Sequence, residues 1–277
     1  MATVLSFRLH GTTYGAYPDA HSILSILYTA GYTDPDLYVS SLLPFVNDKL
    51  YLPAPTSVLG EFGGSKNRVK KGTISKIKKG TIYVPSDRIA DAEDLSFWED
   101  SDDLDAVIIG EFRNPRNSLD RVSSSSNLYF ESGWYAKSFG GGRKVDGFAV
   151  VLDGNVDLEG VCTSLTGMPL GGNKTHGAVI VDVRKQQGIE TNREGGLLIS
   201  IARPSDRPPE CIPILREKWA FYNDGEGVKR KAYSLYCPGS VLSEGEYVSG
   251  DVSVGKDVRG YDVKLFVRPL FVNLTKG

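Results

Sequence analysis

The chain has 277 residues, 40% of them hydrophobic and 24% charged, with 31 glycines and 14 prolines. That length holds one large domain or two small ones, and the mixture is globular and turn-rich, which excludes a disordered or fibrous chain. With 34 acidic against 32 basic residues the net charge is −2, so the total charge lends no support to nucleic-acid binding.

Residues 3–10, TVLSFRLH, alternate as a strand does. A helix is expected within PDAHSILSILYTAGY, capped by Asp19, with Ile23, Leu24, Ile26 and Leu27 as its apolar face and Gly31 as its stop. Strands LYVSSLLPFV and DKLYLPAP then turn at Asn47-Asp48. Strand–helix–strand–strand is the first part of a ferredoxin-like unit. From Gly60 to Asp105 no steady period holds, and the stretch reads as a long insertion with a hairpin around KGTISKIKKGTIYVP. The second half reads as β-rich, with strands in NLYFESGWYAKS, VDGFAVVLDG, GAVIVDVRK, GLLISIARP, IPILREKWAFY, KRKAYSLYC and YDVKLFVRPLFVNL. One short helix, DLEGVCTSLTG, stands between the second and third of these. Two ferredoxin-like domains with insertions account for this order, and so does a single β-rich domain.

Three scattered cysteines, Cys162, Cys211 and Cys237, make neither a disulfide framework nor a zinc pattern, so no metal or other cofactor is expected. MATVLSFRLHGTTYG has no basic region leading into an apolar run, and no apolar stretch reaches membrane-spanning length. A cytoplasmic location follows as the expectation, and the sequons at Asn173 and Asn273 are then chance matches. Charge is segregated: residues 66–79 carry only positive side chains and residues 91–105 only negative ones. Either these are two solvated loops, or the near-neutral total hides a basic groove.

GMPLGGNKTHG, residues 167–177, comes within one residue of a phosphate-binding P-loop. Asn173 stands where the lysine belongs, and the following GAVIVDVRK is a strand where the motif needs a helix, so a P-loop NTPase site is rejected. Two readings stay open: a helix-to-strand turn that needs glycine, or a concave anion site of backbone amides with Lys174, Thr175 and His176 beside it. No Ser-His-Asp order, Cys-His pair or paired-carboxylate motif stands out. His10 and His21 are the best acid–base pair on offer.

A helix, a glycine-rich loop with a basic residue and then a strand resembles the signature of the RAMP superfamily, the ferredoxin-like RNA-binding proteins of CRISPR antiviral defence. Further segments resemble one member in order along nearly the whole chain: SSLLPFVNDKLYLPAPTSV, KKGTISKIKKGTIYVPSD, RNPRNSLDRVSSSSNLYF, GMPLGGNKTHGAV, LLISIARPS, LYCPGSVL and GYDVKLFVRPL. That member caps the guide-RNA 5′ end in type III-A (Csm) effector complexes. In its loop an arginine commonly follows the glycines; Lys174 keeps the charge without the planar fork.

The resemblance implies an α+β protein of two ferredoxin-like (RRM-like) domains, 1–125 with the insertion 60–105 and 126–277 with the glycine-rich loop 167–177. It implies a non-enzymatic subunit that binds the crRNA 5′ handle and anchors the large polymerase-like subunit and the repeated backbone subunit. A metal-independent endoribonuclease using His10 and His21 is the alternative. The RNA-binding residues expected are Gly171, Gly172, Asn173, Lys174, Thr175 and His176 in the loop. Arg113, Asn114, Arg116, Asn117 and Arg121 join them, with Asp120 to orient an arginine, as do Lys137, Arg143 and Lys144 around Gly140–Gly142. Tyr14, Tyr17, Tyr129, Phe130, Trp134 and Tyr135 are candidates for stacking on bases. Lys66, Arg68, Lys70, Lys71, Lys76, Lys78 and Lys79 correspond to the family's RNA-kinking thumb.

Overall fold

In the computed structural model, which describes residues 1–63, 69–99, 104–119, 126–139, 143–170 and 177–274, the first alternation forms strand β1 (Ala2–His10). Helix α1 (Ala20–Thr29) follows with the expected cap: the Asp19 carboxylate accepts the Ser22 N–H at 2.9 Å, and Ile23, Leu24 and Leu27 are buried. After β2 (Tyr38–Val39), strands β3 (Leu43–Val46) and β4 (Lys49–Pro53) turn at Asn47 and Asp48. Both residues have positive φ, 51° and 59°, as a two-residue hairpin turn of matching twist requires.

The lysine-rich segment is not the expected hairpin. It forms helix α2 (Lys71–Lys78) and then strand β5 (Ile82–Pro85). Thr73 and Ile77 lie four residues apart and bury one helical face, while Lys76 and Lys78 oppose the negative end of the helix dipole. Lys66 and Arg68 lie outside the described residues. The acidic segment is also more than solvated surface. In helix α3 (Ser96–Glu99) Trp98 is fully buried, and its indole N–H donates to the Ala92 carbonyl at 2.8 Å.

Residues 107–119, where the sequence shows no strand, form β6 (Val107–Leu119), paired along its length with β7 (Ser126–Ser138). Gly110, Asn114 and Pro115 are poor strand formers, and cross-strand packing overrides them. The Tyr135 ring lies where a side chain on Gly110 would stand, and the Phe112 ring does the same at Gly133. Then come β8 (Lys144–Val145), β9 (Gly147–Asp153), helix α4 (Leu158–Leu165) capped by Asp157, β10 (Pro169–Leu170) and β11 (Ala178–Ile189).

These eleven strands make one sheet, β10-β11-β1-β9-β3-β4-β5-β6-β7-β8, with β2 on β9. Its segment β11-β1-β9-β3 is antiparallel throughout, and α1 and α4 supply the two crossovers. That is the ferredoxin-like order. The two strand–helix–strand units seen in the sequence therefore join in a single ferredoxin-like sheet and do not found one domain each. The division expected at 125/126 runs through the β6–β7 ribbon, and the sheet carries strands from both sides of it.

The remaining strands are β12 (Gly196–Leu198), β13 (Arg203–Pro204), β14 (Leu215–Asn223), β15 (Val228–Tyr236), β16 (Val241–Leu242), β17 (Tyr247–Val248), β18 (Val252–Lys256), β19 (Asp262–Leu265) and β20 (Phe271–Val272). They form the sheets β16-β12-β20, β13-β17 and β15-β14-β18-β19. No helix lies among the described residues of 190–274, so these sheets do not reproduce a second ferredoxin-like unit. Leu197, Ile199, Phe266 and Leu270 enter the same apolar core as Leu5 and Phe148, and two smaller clusters, one around Leu235 and Val267 and one around Tyr236 and Phe271, lie under the C-terminal sheets. No described helix is long and apolar enough to cross a membrane.

Arg268 ties the C-terminal segment to the N-terminal one. Its guanidinium donates to both Asp251 carboxylate oxygens (3.0 and 2.6 Å) and to the carbonyls of Asp34 and Leu37 (2.7 and 2.9 Å). The side chain is 8% exposed. Arg268→Met is expected to leave these acceptors unpaired and to cost about 3–5 kcal/mol, read as a lower urea midpoint at unchanged slope.

Candidate nucleic-acid interface

The turn from β1 into α1, residues 11–18, is rich in backbone contacts. Gly11 has φ +109°, and a Cβ there would stand 3.2 Å from the Gly177 carbonyl oxygen. Thr12 bridges to Gly177, and Tyr14 bridges to Gly133 on β7. The Trp134 N–H donates to the Thr13 carbonyl at 2.9 Å, the Thr13 hydroxyl donates back to the Trp134 carbonyl, and the Gly15 N–H donates to the Ser132 carbonyl at 2.9 Å. One turn thus fastens the β6–β7 ribbon to the foot of the glycine-rich loop.

Gly171, Gly172, Asn173, Lys174, Thr175 and His176 lie outside the described residues. Their two stems are defined: Pro169 and Leu170 pair with Val179 and Ala178, and the Gly167 N–H donates to the Ile180 carbonyl at 2.8 Å. A strand, β11, follows the loop as the alternation required, so the P-loop reading is excluded on geometry as well.

Strand alternation divides the arginine cluster between the two faces of the ribbon. Arg113 opposes Ser132, on the face that also carries Glu111, Trp134 and the 61%-exposed Phe130. Asn114 and Arg116 are on the other face with Glu131, Tyr135 and Lys137. Arg116 is already engaged, its Nε 2.9 Å from a Glu131 oxygen and its Nη2 3.1 Å from the Tyr14 hydroxyl. Glu131 thus does for Arg116 what the sequence suggested Asp120 would do for a neighbour. Arg113 is exposed and makes no ion pair among the described residues. Asn117 opposes Leu128 at the backbone; Asp120 and Arg121 lie outside the described residues.

Trp134 is core, as its 1% exposure and edge-on contacts with Tyr17 (4.8 Å) and Phe148 (5.4 Å) show. Tyr17 donates its hydroxyl to the Leu42 carbonyl at 2.8 Å, and burial raises its pKa well above the usual phenol value. Both residues line a cleft of about 270 Å³ between the ribbon and β14, with Tyr83, Arg216 and Trp219. The Trp134 indole N–H has no partner among the described residues.

A second basic group gathers at the root of the ribbon. Lys137 opposes Lys144 across β7–β8, and Lys76 of α2 comes close enough to lie 4.7 Å over the Phe139 ring. Burial, then the charge of Lys137, holds the Lys76 amine below its ordinary value. Arg143 and Lys144 are exposed and line a cleft of about 550 Å³ on the open face of the sheet, joined by Arg8 and Arg184. Three carboxylates share it: Asp48, Asp146 and Asp182. Arg8 is paired to Asp146 at 2.5 Å. Asp182 sits at a bulge of β11 with φ 57°, a strained setting for a residue with a side chain. Arg8 and Arg184 belong to no motif; alternation along β1 and β11 was the signal that could have found them. Lys70, Lys71, Lys78 and Lys79 are exposed along or beside α2, and the Lys79 carbonyl accepts from Arg216 at 2.7 Å.

The two histidines are set in different surroundings. His10 is exposed at the end of β1. The Nδ1 of His21 accepts the Phe266 N–H at 3.1 Å, and burial and then Lys218 bring its pKa down to about 4. Nearby, Lys218 donates to the Asp19 carboxylate at 2.5 Å. Burial would raise the Asp19 pKa, but Lys218 and Ser22 outweigh it and lower it. Among the described residues no group of three or more His, Cys, Asp or Glu residues could hold a metal ion.

No protein-family model matches the chain, and no curated protein matches it in sequence. Solved structures do. A chain of a Csm1–Csm4 cassette in complex with cA4 aligns at TM-score 0.59 and 14% identity, covering 100% of both chains. The same kind of cassette with AMPPNP gives TM-score 0.56 at 15% identity, covering 99% of this chain and 100% of the other. A chain of a Csm3–Csm4 subcomplex of the type III-A CRISPR-Cas interference complex gives TM-score 0.51 at 14% identity, over 97% and 98%. The likeness is one of fold: the chain has a β-rich, Csm4-like RAMP fold.

Two measurements check this geometry. Gly133→Ala would bring a methyl group to 2.3 Å from the Thr13 carbonyl oxygen, which is backbone and cannot yield. The variant is expected to lose about 1–3 kcal/mol and to exchange the Gly15 and Trp134 amide protons faster. The unfolded His21 imidazole titrates near 6.5, so the stability of its neutral folded form is whole above that pH. It is lost as pH falls from about 6.5 to about 4, by at most about 1.4 kcal/mol per pH unit. His21→Gln is expected to flatten that part of the pH–stability curve in urea melts.

Proposed function

We propose that the chain is a non-catalytic RNA-binding subunit of a type III CRISPR effector complex. It binds and caps the 5′ handle of the crRNA and anchors the large polymerase-like subunit and the repeated backbone subunit. The observation that carries this reading is the junction at Gly11–Gly15, where one turn fastens the stems of the glycine-rich loop to the arginine-bearing ribbon. A single-stranded handle needs backbone donors and cations in a fixed relation, because its own backbone is pliant. Arg113 on the ribbon, together with Arg121 and Lys174 outside the described residues, supplies cations for its phosphates; Arg143 and Lys144 extend the basic surface at the ribbon's root. Phe130, 61% exposed, is the described aromatic best placed to stack on a base. The Csm4-like fold, in structures that pair it with Csm1 or with Csm3, supports the two protein partners.

Metal-independent RNA cleavage is the competing reading, and the setting of His21 weighs against it. Its Nδ1 lone pair is occupied by a backbone N–H, and a pKa of about 4 leaves no proton to give a leaving group at neutral pH.

Chain purified from its host is expected to carry RNA with a defined 5′ handle. The joint change R113A/R121A/K174A should weaken handle binding at least tenfold and lower the salt slope by about 2, at about 0.7 per phosphate contact for single strands. Unchanged handle affinity would defeat the assignment. Incubation with repeat RNA in chelator separates the alternatives, because a specific 2′,3′-cyclic phosphate product would favour the nuclease.

A further inference from the structure

Ile109, Glu111 and Arg113 succeed one another on one face of β6, and Trp134 of β7 opposes Glu111 there. Ile109, Glu111 and Trp134 line the cleft of about 270 Å³ that Tyr17, Tyr83 and Arg216 help to close. Arg113 stands one same-face step beyond the cleft, about 7 Å along the strand. The cleft is therefore continuous with the ribbon face that carries Arg113 and the exposed Phe130.

The polar groups of the cleft are of both signs, and several are not used inside the protein. Lys218 and Asp19 satisfy each other at 2.5 Å. Glu111 is exposed and makes no hydrogen bond or ion pair among the described residues. Arg216 gives its Nη2 to the Lys79 carbonyl, and its other N–H groups have no partner among the described residues. The buried Trp134 indole N–H has none either, and native folds rarely leave such a donor so. A small anion in this cleft would meet Glu111 and Glu217. An apolar side chain would desolvate Glu111 and Arg216 without pairing them. What remains is a planar group with donors on one edge and acceptors on another. The volume lies below that of sites for drug-sized ligands, so one ring system is enough to fill it.

We propose that this cleft binds the base of one unpaired guanine in an RNA strand whose phosphate lies on Arg113. Guanine alone among the four bases has two adjacent donors, N1–H and the N2 amino group, which the Glu111 carboxylate accepts together. Its O6 and N7 are adjacent acceptors on the other edge, the pair that an arginine such as Arg216 takes. Adenine and cytosine offer a carboxylate one donor beside a repelling lone pair, and uracil one donor between two carbonyls. Tyr17 and Trp219 supply rings on which the base stacks. A free guanine nucleotide has the same edges; the unbroken face from Glu111 to Arg113 is what favours a strand. The inference rests on the RNA-binding reading above and gives it a base specificity.

The full chain is titrated with short single-stranded RNA of adenines in which one internal nucleotide is adenine, guanine, inosine or 7-deazaguanine, and separately with GMP. One guanine is expected to tighten binding at least tenfold over the all-adenine strand. Inosine, which lacks the N2 amino group, and 7-deazaguanine, which lacks N7, should each forfeit most of that gain. Glu111→Ala is expected to bind the guanine and inosine strands alike, and Arg216→Met the guanine and 7-deazaguanine strands alike. Both positions are exposed, and each result is a ratio within one protein, so a general loss of stability or affinity does not imitate it. Equal binding of all four strands by the wild type, or a guanine preference that survives Glu111→Ala, overturns the site and leaves the RNA-binding reading standing. GMP that binds as tightly as the guanine strand assigns the cleft to a free nucleotide and overturns it too. A chain that binds none of the strands brings down the RNA-binding reading first and this site with it.

Discussion

Strand β1 is the constraint on which the structure depends. It is paired on one edge by β9 and on the other by β11, both drawn from far downstream in the chain. Contacts such as that of Gln186 with Ser6 close loops of 180 residues. Such closures are entropically costly, and burial of Leu5, Phe7 and Leu9 on one face of the strand offsets that cost. Leu5, Val150 and Ile180, on three adjacent strands, are all fully buried. With β1 held in the middle, its C-terminal end has only one place to go. The turn that leaves it meets the foot of the glycine-rich loop and the side of the β6–β7 ribbon together.

That position turns an almost neutral chain into one with sorted charge. Some cations are consumed by structure: Arg268 clamps Asp251, Lys218 caps the Asp19 region, and Arg116 is steered by Glu131. Arg113, Arg143 and Lys144 are left unpaired on the surface among the described residues, and these can meet a partner's phosphate without first breaking an internal pair. The bookkeeping of total charge hides this separation. The hairpin β14–β15 is divided likewise: Arg216 and Lys218 share one face with Tyr233 and Leu235, and Trp219 and Phe221 lie on the other.

Much of the local structure could be read in advance for identifiable reasons. Asp19 before an apolar helical face and Asn47-Asp48 between two strands are local signals, and short-range backbone chemistry is enough to satisfy them. The long strand β6 could not be read. Gly110 and Pro115 argue against it locally, and it exists because Tyr135 and Phe112 fill the space over the glycines of the facing strand. The basic segment misled in the opposite direction. Its lysines suggested an exposed hairpin, but burial of Thr73 and Ile77 on one side selected a helix. In the candidate site, motif spacing singled out cations and a glycine-rich segment as candidates. It could not tell which arginines share a face, because that depends on the pairing register of two strands.

The sequence by itself determined the class of the protein: a β-rich chain with two strand–helix–strand units, a glycine-rich segment leading into a strand, and clustered cations. These follow from periodicity, capping and turn chemistry, which act over a few residues. Tertiary structure alone decided that the two units build one sheet, that Gly11 touches Gly177, and that Arg113 and Arg116 point apart. Each of these is a pairing between distant segments, and many pairings satisfy the same local pattern. Only the shared core, closed around β1, selects among them.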